Sequence, residues 1–310
     1  MKRQPSYVNL LESGELQKRV RQALTRLAPC RVCPRSCEVD RLEGQLGVCQ
    51  TGRCARVSSY GPHMGEEDPL RGRLGSGTIF FNRCNLTCLY CQNADISQRT
   101  GGREVTPGEL AEIMLQLQEQ GCHNINLVSP SHIIPQILEG VYEAARGGLT
   151  LPLVYNTGGY DDLEMLKILD GVVDIYMPDM KYADPQVGEK YSGVKDYPQV
   201  NQSAVKEMHR QVGDLVLDER GIAGRGLLIR HLVLPHGLAG TSRILRFLAE
   251  EISTNTYLNL MDQYRPAYRA HQDQELSRRI RPKEYREALE EAHRLGLNRL
   301  DQRKRTFWSF

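Results

Sequence analysis

The sequence has no excess of charge: 40 Lys and Arg against 38 Asp and Glu give a formal net charge of +2. Such a balance creates no global field to gather nucleic acid or an anionic membrane, so a charged partner must be met by a local patch. Long apolar runs are also missing. The start, MKRQPSYVNLLESGEL, has no apolar core of the signal-peptide kind, and no window reaches the roughly 18 apolar residues of a membrane span. A cytoplasmic protein without membrane association is therefore expected, and nucleic acid is not an expected partner. No internal repeat is visible. With 310 residues, 40% of them hydrophobic, the chain can bury one large domain or a domain plus a small module, which excludes disordered and fibrous classes.

What the sequence does have in unusual number is cysteine. Nine cysteines in a reducing compartment call for metal or redox chemistry. Eight fall in two tight groups, Cys30, Cys33, Cys37, Cys49 and Cys54, then Cys84, Cys88 and Cys91, and the odd total with short gaps argues against a disulfide framework. Cys122 stands alone in an apolar stretch and reads as a small buried hydrophobe.

Glu15 to Ala28 reads as a basic amphipathic helix, and Cys30 to about Gly77 as loop-rich text that a metal could hold together. Beyond it, short apolar runs alternate with helical stretches, the pattern of parallel strands joined by crossover helices. Six strands are expected, at 78–81, 125–129, 151–156, 172–177, 227–235 and 256–261. Helices are expected at 107–120, 133–145, 163–169, 202–212, 241–251 and 282–295. The fold class is α/β, an incomplete (β/α)6 TIM-like barrel, open on one side, with a small cysteine-rich N-terminal module. The expected domains are 1–76, the N-terminal helix and metal-binding module; 77–265, the partial barrel; and 266–310, a C-terminal helix and basic tail that reads as a solvated end.

Cys84-x3-Cys88-x2-Cys91 directly follows the first apolar strand, in FFNRCNLTCLYCQN. Three thiolates in eight residues can wrap one 4Fe-4S cubane from a single loop, leaving one iron open to a further ligand. A zinc site borrowing a fourth ligand and three incidental thiols are the competing readings. With Tyr90 before its last cysteine, the motif resembles the signature of radical S-adenosylmethionine (SAM) enzymes. GSGTIFFNRCNLTCLYCQNADIS, PHMGEEDPL, HNINLVSPSH, YNTGGYDDLEMLKILDGVVDIYMPDMKYAD, IRHLVLP and NLMDQYRP are similar, more narrowly, to an uncharacterised branch resembling the pyruvate formate-lyase activating enzyme. The likeness runs from Cys30 to about Leu297.

The resemblance implies a 4Fe-4S cluster and SAM as cofactors, reductive cleavage of SAM to a 5'-deoxyadenosyl radical, and a one-electron donor such as flavodoxin or ferredoxin. No catalytic side chain is assigned, because cluster-bound SAM is the reagent. It also implies SAM contacts at strand ends: Ser129 in place of a glycine-rich turn, Asn156 and Thr157 in place of an Asp-Thr pair, Asp179 and Lys181 for the SAM carboxylate, and Arg230 near the methionyl group. His132 reads as a strand-end cap or helix start. Asn259, Asp262 and Gln263 stand where related enzymes carry Pro-Tyr-His, so no adenosine contact is assigned from them.

Cys30-x2-Cys33-x3-Cys37-x11-Cys49 offers four soft ligands in twenty residues, enough to close a site of structural zinc or a second Fe-S cluster, with Cys54 able to replace or supplement one. His63, Glu66, Glu67 and Asp68 read as a solvated loop, and Gly75 and Gly77 as shaping a turn. The expected substrate is a protein or peptide that loses a hydrogen atom. The alternatives are a radical SAM enzyme acting on a small metabolite or RNA base, and a non-catalytic metal protein.

Overall fold

The computed structural model describes residues 4–301; residues 302–310, which carry most of the basic tail, lie outside the described residues. Among the described residues, nine strands form one sheet: β1 Ala55–His63, β2 Ser76–Phe81, β3 Arg103–Val105, β4 Ile125–Val128, β5 Leu153–Thr157, β6 Ile175–Pro178, β7 Val216–Leu217, β8 Ala223–Leu232 and β9 Tyr257–Met261. The helices are α1 Ser6–Glu12, α2 Glu15–Leu24, α3 Asp68–Arg71, α4 Ala94–Ser97, α5 Pro107–Glu119, α6 Ile134–Arg146, α7 Leu163–Ile168, α8 Pro185–Ser192, α9 Tyr197–Val212, α10 Thr241–Phe247 and α11 Pro282–Arg294.

Runs such as INLV and LVYNT are apolar without alternation because both of their faces are covered, as in a parallel sheet wrapped by helices. β2, β4, β5, β6, β8 and β9 pair in that order, all parallel. These are the six expected strands, each displaced by a few residues at most at its start and end. The fold is α/β with a mostly parallel sheet curved toward a partial barrel, as the sequence pattern indicated. β1 and β3 were not anticipated: β1 pairs antiparallel with β2, and β3 with β1. The strand at 55–63 thus continues the barrel sheet from within the span read as the N-terminal module.

Local chemistry places the crossovers. α5 starts with Pro107 at its first turn and a capping box in which the Thr106 hydroxyl accepts from the Glu109 N–H while Glu109 reaches back to the Thr106 N–H. The Asp162 side chain caps α7 and that of Asp184 caps α8. The outer core between helices and sheet contains Cys122, 3% exposed, which packs as a hydrophobe. A separate cluster, Val154, Ile175, Met177 and Leu228, joins the inner strand faces, and Leu70 of α3 packs into it. Asn259 of β9 donates to the Glu67 carboxylate at 2.7 Å and the buried Asn124 amide donates to the Leu70 carbonyl at 2.8 Å, so the segment around α3 is tied to β9 and to the entry of β4. Glu66 and Glu67, expected in a solvated loop, are 8% and 1% exposed. The partner that buries Glu67 comes from 192 residues away, beyond the reach of a local reading.

Candidate active site

At the C-terminal ends of the parallel strands lies a cavity of about 230 Å³. Such a mouth is where parallel α/β folds gather free backbone groups and strand-end side chains. Cys84, Cys88 and Cys91 line it, carried on the loop after β2, and so do all six strand-end residues singled out by sequence: Ser129, Asn156, Thr157, Asp179, Lys181 and Arg230.

The charged residues form one linked set. The Asp179 carboxylate accepts from Lys181 Nζ at 2.6 Å and from Arg230 Nε at 2.8 Å, and Arg230 also donates to Asn156 Oδ1 at 2.7 Å. Burial pushes the Asp179 carboxyl up, but the charges of Arg230 and Lys181 outweigh it and hold it below the usual range. Lys181 and Arg230 lose charge stability to burial and regain more from Asp179, so both stay protonated. The loop that carries Asp179 and Lys181 is fixed from below. Tyr197 accepts from the Lys181 N–H at 3.0 Å and donates to the Gly158 carbonyl at 2.8 Å, while the Asn201 amide donates to the carbonyls of Gly159 and Asp179 at 2.9 Å each.

Ser129 has φ 61°, a left-handed conformation that costs a non-glycine residue about 1–2 kcal/mol. Strain of this kind persists where the surroundings fix the backbone, here partly through the Ser129 N–H to the Asn156 carbonyl at 2.9 Å. Thr157 is buried, and its hydroxyl is engaged by Ser131 at 2.8 Å, Asp161 at 2.7 Å and the Gly159 N–H at 3.0 Å, so it shapes the strand end more than it offers a free contact. His132 is 1% exposed and lies behind the turn, its ring on the Asn82 carbonyl at 3.1 Å. Of the residues at the end of β9, Gln263 and Met261 line the cavity; Asn259 and Asp262 do not.

Burial, with the neighbouring Cys88 thiol, pushes the Cys84 thiol up to about 12. Cys88 is pushed up by burial and partly drawn back by Lys181. Buried, crowded thiols of this kind ionise when a cation coordinates them, which is the chemistry of a cluster ligand set. Ser192 and Ser97 place hydroxyls on the sulfurs of Cys88 and Cys91 at 2.9 and 3.1 Å, and the Leu86 N–H donates to the Cys84 sulfur at 3.4 Å. Contacts of this type tune a cluster's potential. Sequence reasoning missed Ser192, because it is brought to Cys88 from 104 residues away, between Tyr182 and the loop. It also missed the amides Gln92, Asn93 and Gln98 on the rim, although they directly follow the motif.

Cys30, Cys33, Cys37 and Cys49 gather in the segment between α2 and β1, away from the cavity lining, with no disulfide among them. Cys54 lines a separate small cleft with Pro107 and Glu139. Among the described residues, no group of three or more His, Cys, Asp or Glu side chains is arranged to hold a single metal ion, and no helix is long and apolar enough to cross a membrane.

The chain is 32% identical over 277 residues to an uncharacterised protein of Methanocaldococcus jannaschii, covering 87% of this chain and 75% of that protein. It is 26% identical over 162 residues to a second uncharacterised protein of the same organism, covering 45% of this chain and 46% of the relative. Among solved structures, a radical SAM methyltransferase from Sphaerobacter thermophilus superposes with a TM-score of 0.44 at 13% identity, covering 71% of this chain and 64% of that one. TYW1 with a lysine-pyruvate adduct bound gives 0.43 at 11% identity, covering 71% and 73%. The sequence profile of the radical SAM superfamily matches residues 78–218, which hold the cysteine loop, Ser129, Asn156, Thr157, Asp179 and Lys181. With three thiols and these strand-end groups in one cavity, the chain belongs to the radical SAM superfamily.

Proposed function

We propose that this enzyme uses Cys84, Cys88 and Cys91 to hold a 4Fe-4S cluster at which SAM is reductively cleaved, and that it removes a hydrogen atom from a peptide or protein segment. Supporting the first part is the convergence of the three thiols with Asp179, Lys181 and Arg230 in one cavity. When bound, the cluster and SAM supply one-electron cleavage of a sulfonium and a 5'-deoxyadenosyl radical able to take a hydrogen atom. Lys181 and Arg230 offer fixed cations to a carboxylate, and the backbone carbonyls at the strained Ser129 turn offer acceptors to an amino group. Cys88 and Cys91 keep their sulfurs oriented through Ser192 and Ser97.

The peptide reading rests on the rim. Gln92, Asn93, Gln98 and Gln263 present neutral carboxamides, and the two lining cations, Lys181 and Arg230, which pair with Asp179, are the ones assigned above to the SAM carboxylate, so among the described residues the lining offers no further cation to a substrate. A phosphorylated nucleoside needs uncommitted Arg or Lys at its phosphates, whereas a peptide backbone presents neutral N–H and C=O groups that carboxamides match. The activating-enzyme-like role, with a protein loop as substrate, follows from this rim together with the sequence resemblance. The test is isotope transfer: reduced enzyme and unlabelled SAM are incubated with fractions of a deuterated extract of the source cells, and 5'-deoxyadenosine is analysed by mass spectrometry. Deuterium arriving from the macromolecular fraction, and lost after protease treatment, upholds the peptide reading; deuterium arriving only from the small-molecule filtrate refutes it.

A further inference from the structure

Arg41, 1% exposed, is among the largest fully buried side chains of the described residues. A guanidinium keeps its charge at any ordinary pH, and a buried charge is normally paired. Yet its hydrogen bonds run to neutral groups: Nε and one terminal nitrogen to the Gly52 carbonyl at 3.0 and 2.8 Å, and the other terminal nitrogen to the His132 carbonyl at 2.8 Å. Its remaining contact is the Cys30 sulfur at 3.9 Å. No carboxylate among the described residues forms an ion pair with it.

The surroundings supply the missing charge if the four N-terminal cysteines are ionised. We propose that Cys30, Cys33, Cys37 and Cys49 hold a second iron–sulfur cluster, closed by four thiolates, with Arg41 as its buried counter-charge. Four thiolates on an oxidised cubane leave a net double negative charge, and that charge faces the guanidinium. The backbone is shaped around the sulfurs: Ser36 and Glu38, on either side of Cys37, and Gln50, after Cys49, all have positive φ (39°, 56° and 49°) without being glycine. The Val48 N–H donates to the Cys37 sulfur at 3.4 Å, and a Cβ at Gly47 would fall 2.7 Å from that sulfur, so only glycine fits there. A cubane spreads its thiolates over separate irons and one zinc draws four sulfurs to about 2.3 Å from itself; both carry the same net charge toward Arg41 when bound by four thiolates, so counts of metal and sulfide separate them.

The centre also has a structural reach. Arg35, between Cys33 and Cys37, donates to the carbonyl of Asn85 inside the first cluster loop at 2.8 Å, and Arg41 holds the His132 carbonyl just beyond the Ser129 turn. Loss of the second cluster therefore loosens both walls of the active site.

The test uses the full chain, purified and reconstituted without oxygen, with iron, sulfide and zinc counted per chain. The Cys84/Cys88/Cys91→Ala triple variant is expected to retain about four irons and four sulfides. The Cys30/Cys33/Cys37/Cys49→Ser variant is expected to lose that same complement while keeping an equal one on Cys84, Cys88 and Cys91. Arg41→Met should speed iron loss to a chelator from the triple-variant background by about tenfold or more, the scale of a second-shell defect, with Arg41→Lys close to wild type. One zinc per chain in place of iron overturns the cluster. Neither metal in a triple variant that is folded by circular dichroism overturns the site, and an unchanged chelation rate in Arg41→Met overturns the counter-charge.

Discussion

Replacing Asp179 by Asn removes the anion that two buried cations share. Asp179 accepts from Lys181 at 2.6 Å and from Arg230 at 2.8 Å, and the substitution leaves those cations facing each other. Breaking a buried pair by deleting one partner costs about 3–5 kcal/mol. The three side chains keep 18–19% of their surface, which admits some screening, so the lower end, about 3 kcal/mol, is expected. Unfolding entropy of about 2.1 cal/mol/K per residue comes to roughly 0.65 kcal/mol/K for 310 residues, so the melting temperature should fall by about 5 °C. Scanning calorimetry of reconstituted wild type and Asp179→Asn under identical anaerobic conditions measures this. The double variant Asp179→Asn/Lys181→Met removes one of the two stranded cations and should be destabilised less than the sum of the single changes by about 1 kcal/mol or more. A melting temperature within about 1 °C of wild type for Asp179→Asn, or strict additivity, would refute the reasoning that this carboxylate holds a buried charge pair.

Thr157→Val removes the hydroxyl that donates to the buried Asp161 carboxylate, leaving Tyr155 and Ser131 to satisfy it; the expected loss is about 1–3 kcal/mol in urea unfolding, and an unchanged midpoint would contradict the role given to that hydroxyl. Acid sensitivity should come in part from two buried histidines, His132, pushed down to about 3 by burial and by Arg41, and His231, pushed down to about 4 by burial. Both stay neutral in the fold while the unfolded chain takes up their protons near pH 6.5, so their stabilisation is complete above pH 6.5 and is lost as the pH falls toward 4. Between pH 7.5 and 5.5 each should cost about 1.4 kcal/mol, and His231→Gln should make the measured loss smaller by that amount; an equal loss in the variant would contradict it.

The parallel strands were legible because each is an apolar run ending in polar residues, as in LVYNT before Gly158 and IYMP before Asp179, and burial on both faces leaves that trace in local sequence. β1 was not legible, since ARVSSYGPH mixes polar, glycine and proline residues and becomes a strand only through its pairing with β2. α8 was missed because PQVGEKYS is short and contains glycine, and its start depends on the Asp184 cap. Within the site, the cysteine loop and the strand-end residues could be read because their spacing and position are local. The linkage of Asn156, Asp179 and Arg230 into one network could not, since Asn156 and Arg230 lie 74 residues apart and meet across β5, β6 and β8. Arg41 gave no sequence signal either: a single arginine in loop text reads as solvated until its burial is seen.

The most direct test of the central claim is the formation of 5'-deoxyadenosine from SAM by the anaerobically reconstituted, dithionite-reduced protein. The expected result is accumulation of 5'-deoxyadenosine with the wild-type chain, even slowly and without substrate, and none with Cys88→Ala. Wild-type protein with an intact reduced cluster that forms no 5'-deoxyadenosine, or a Cys88→Ala variant that forms as much as wild type, would contradict the assignment of Cys84, Cys88 and Cys91 to that chemistry.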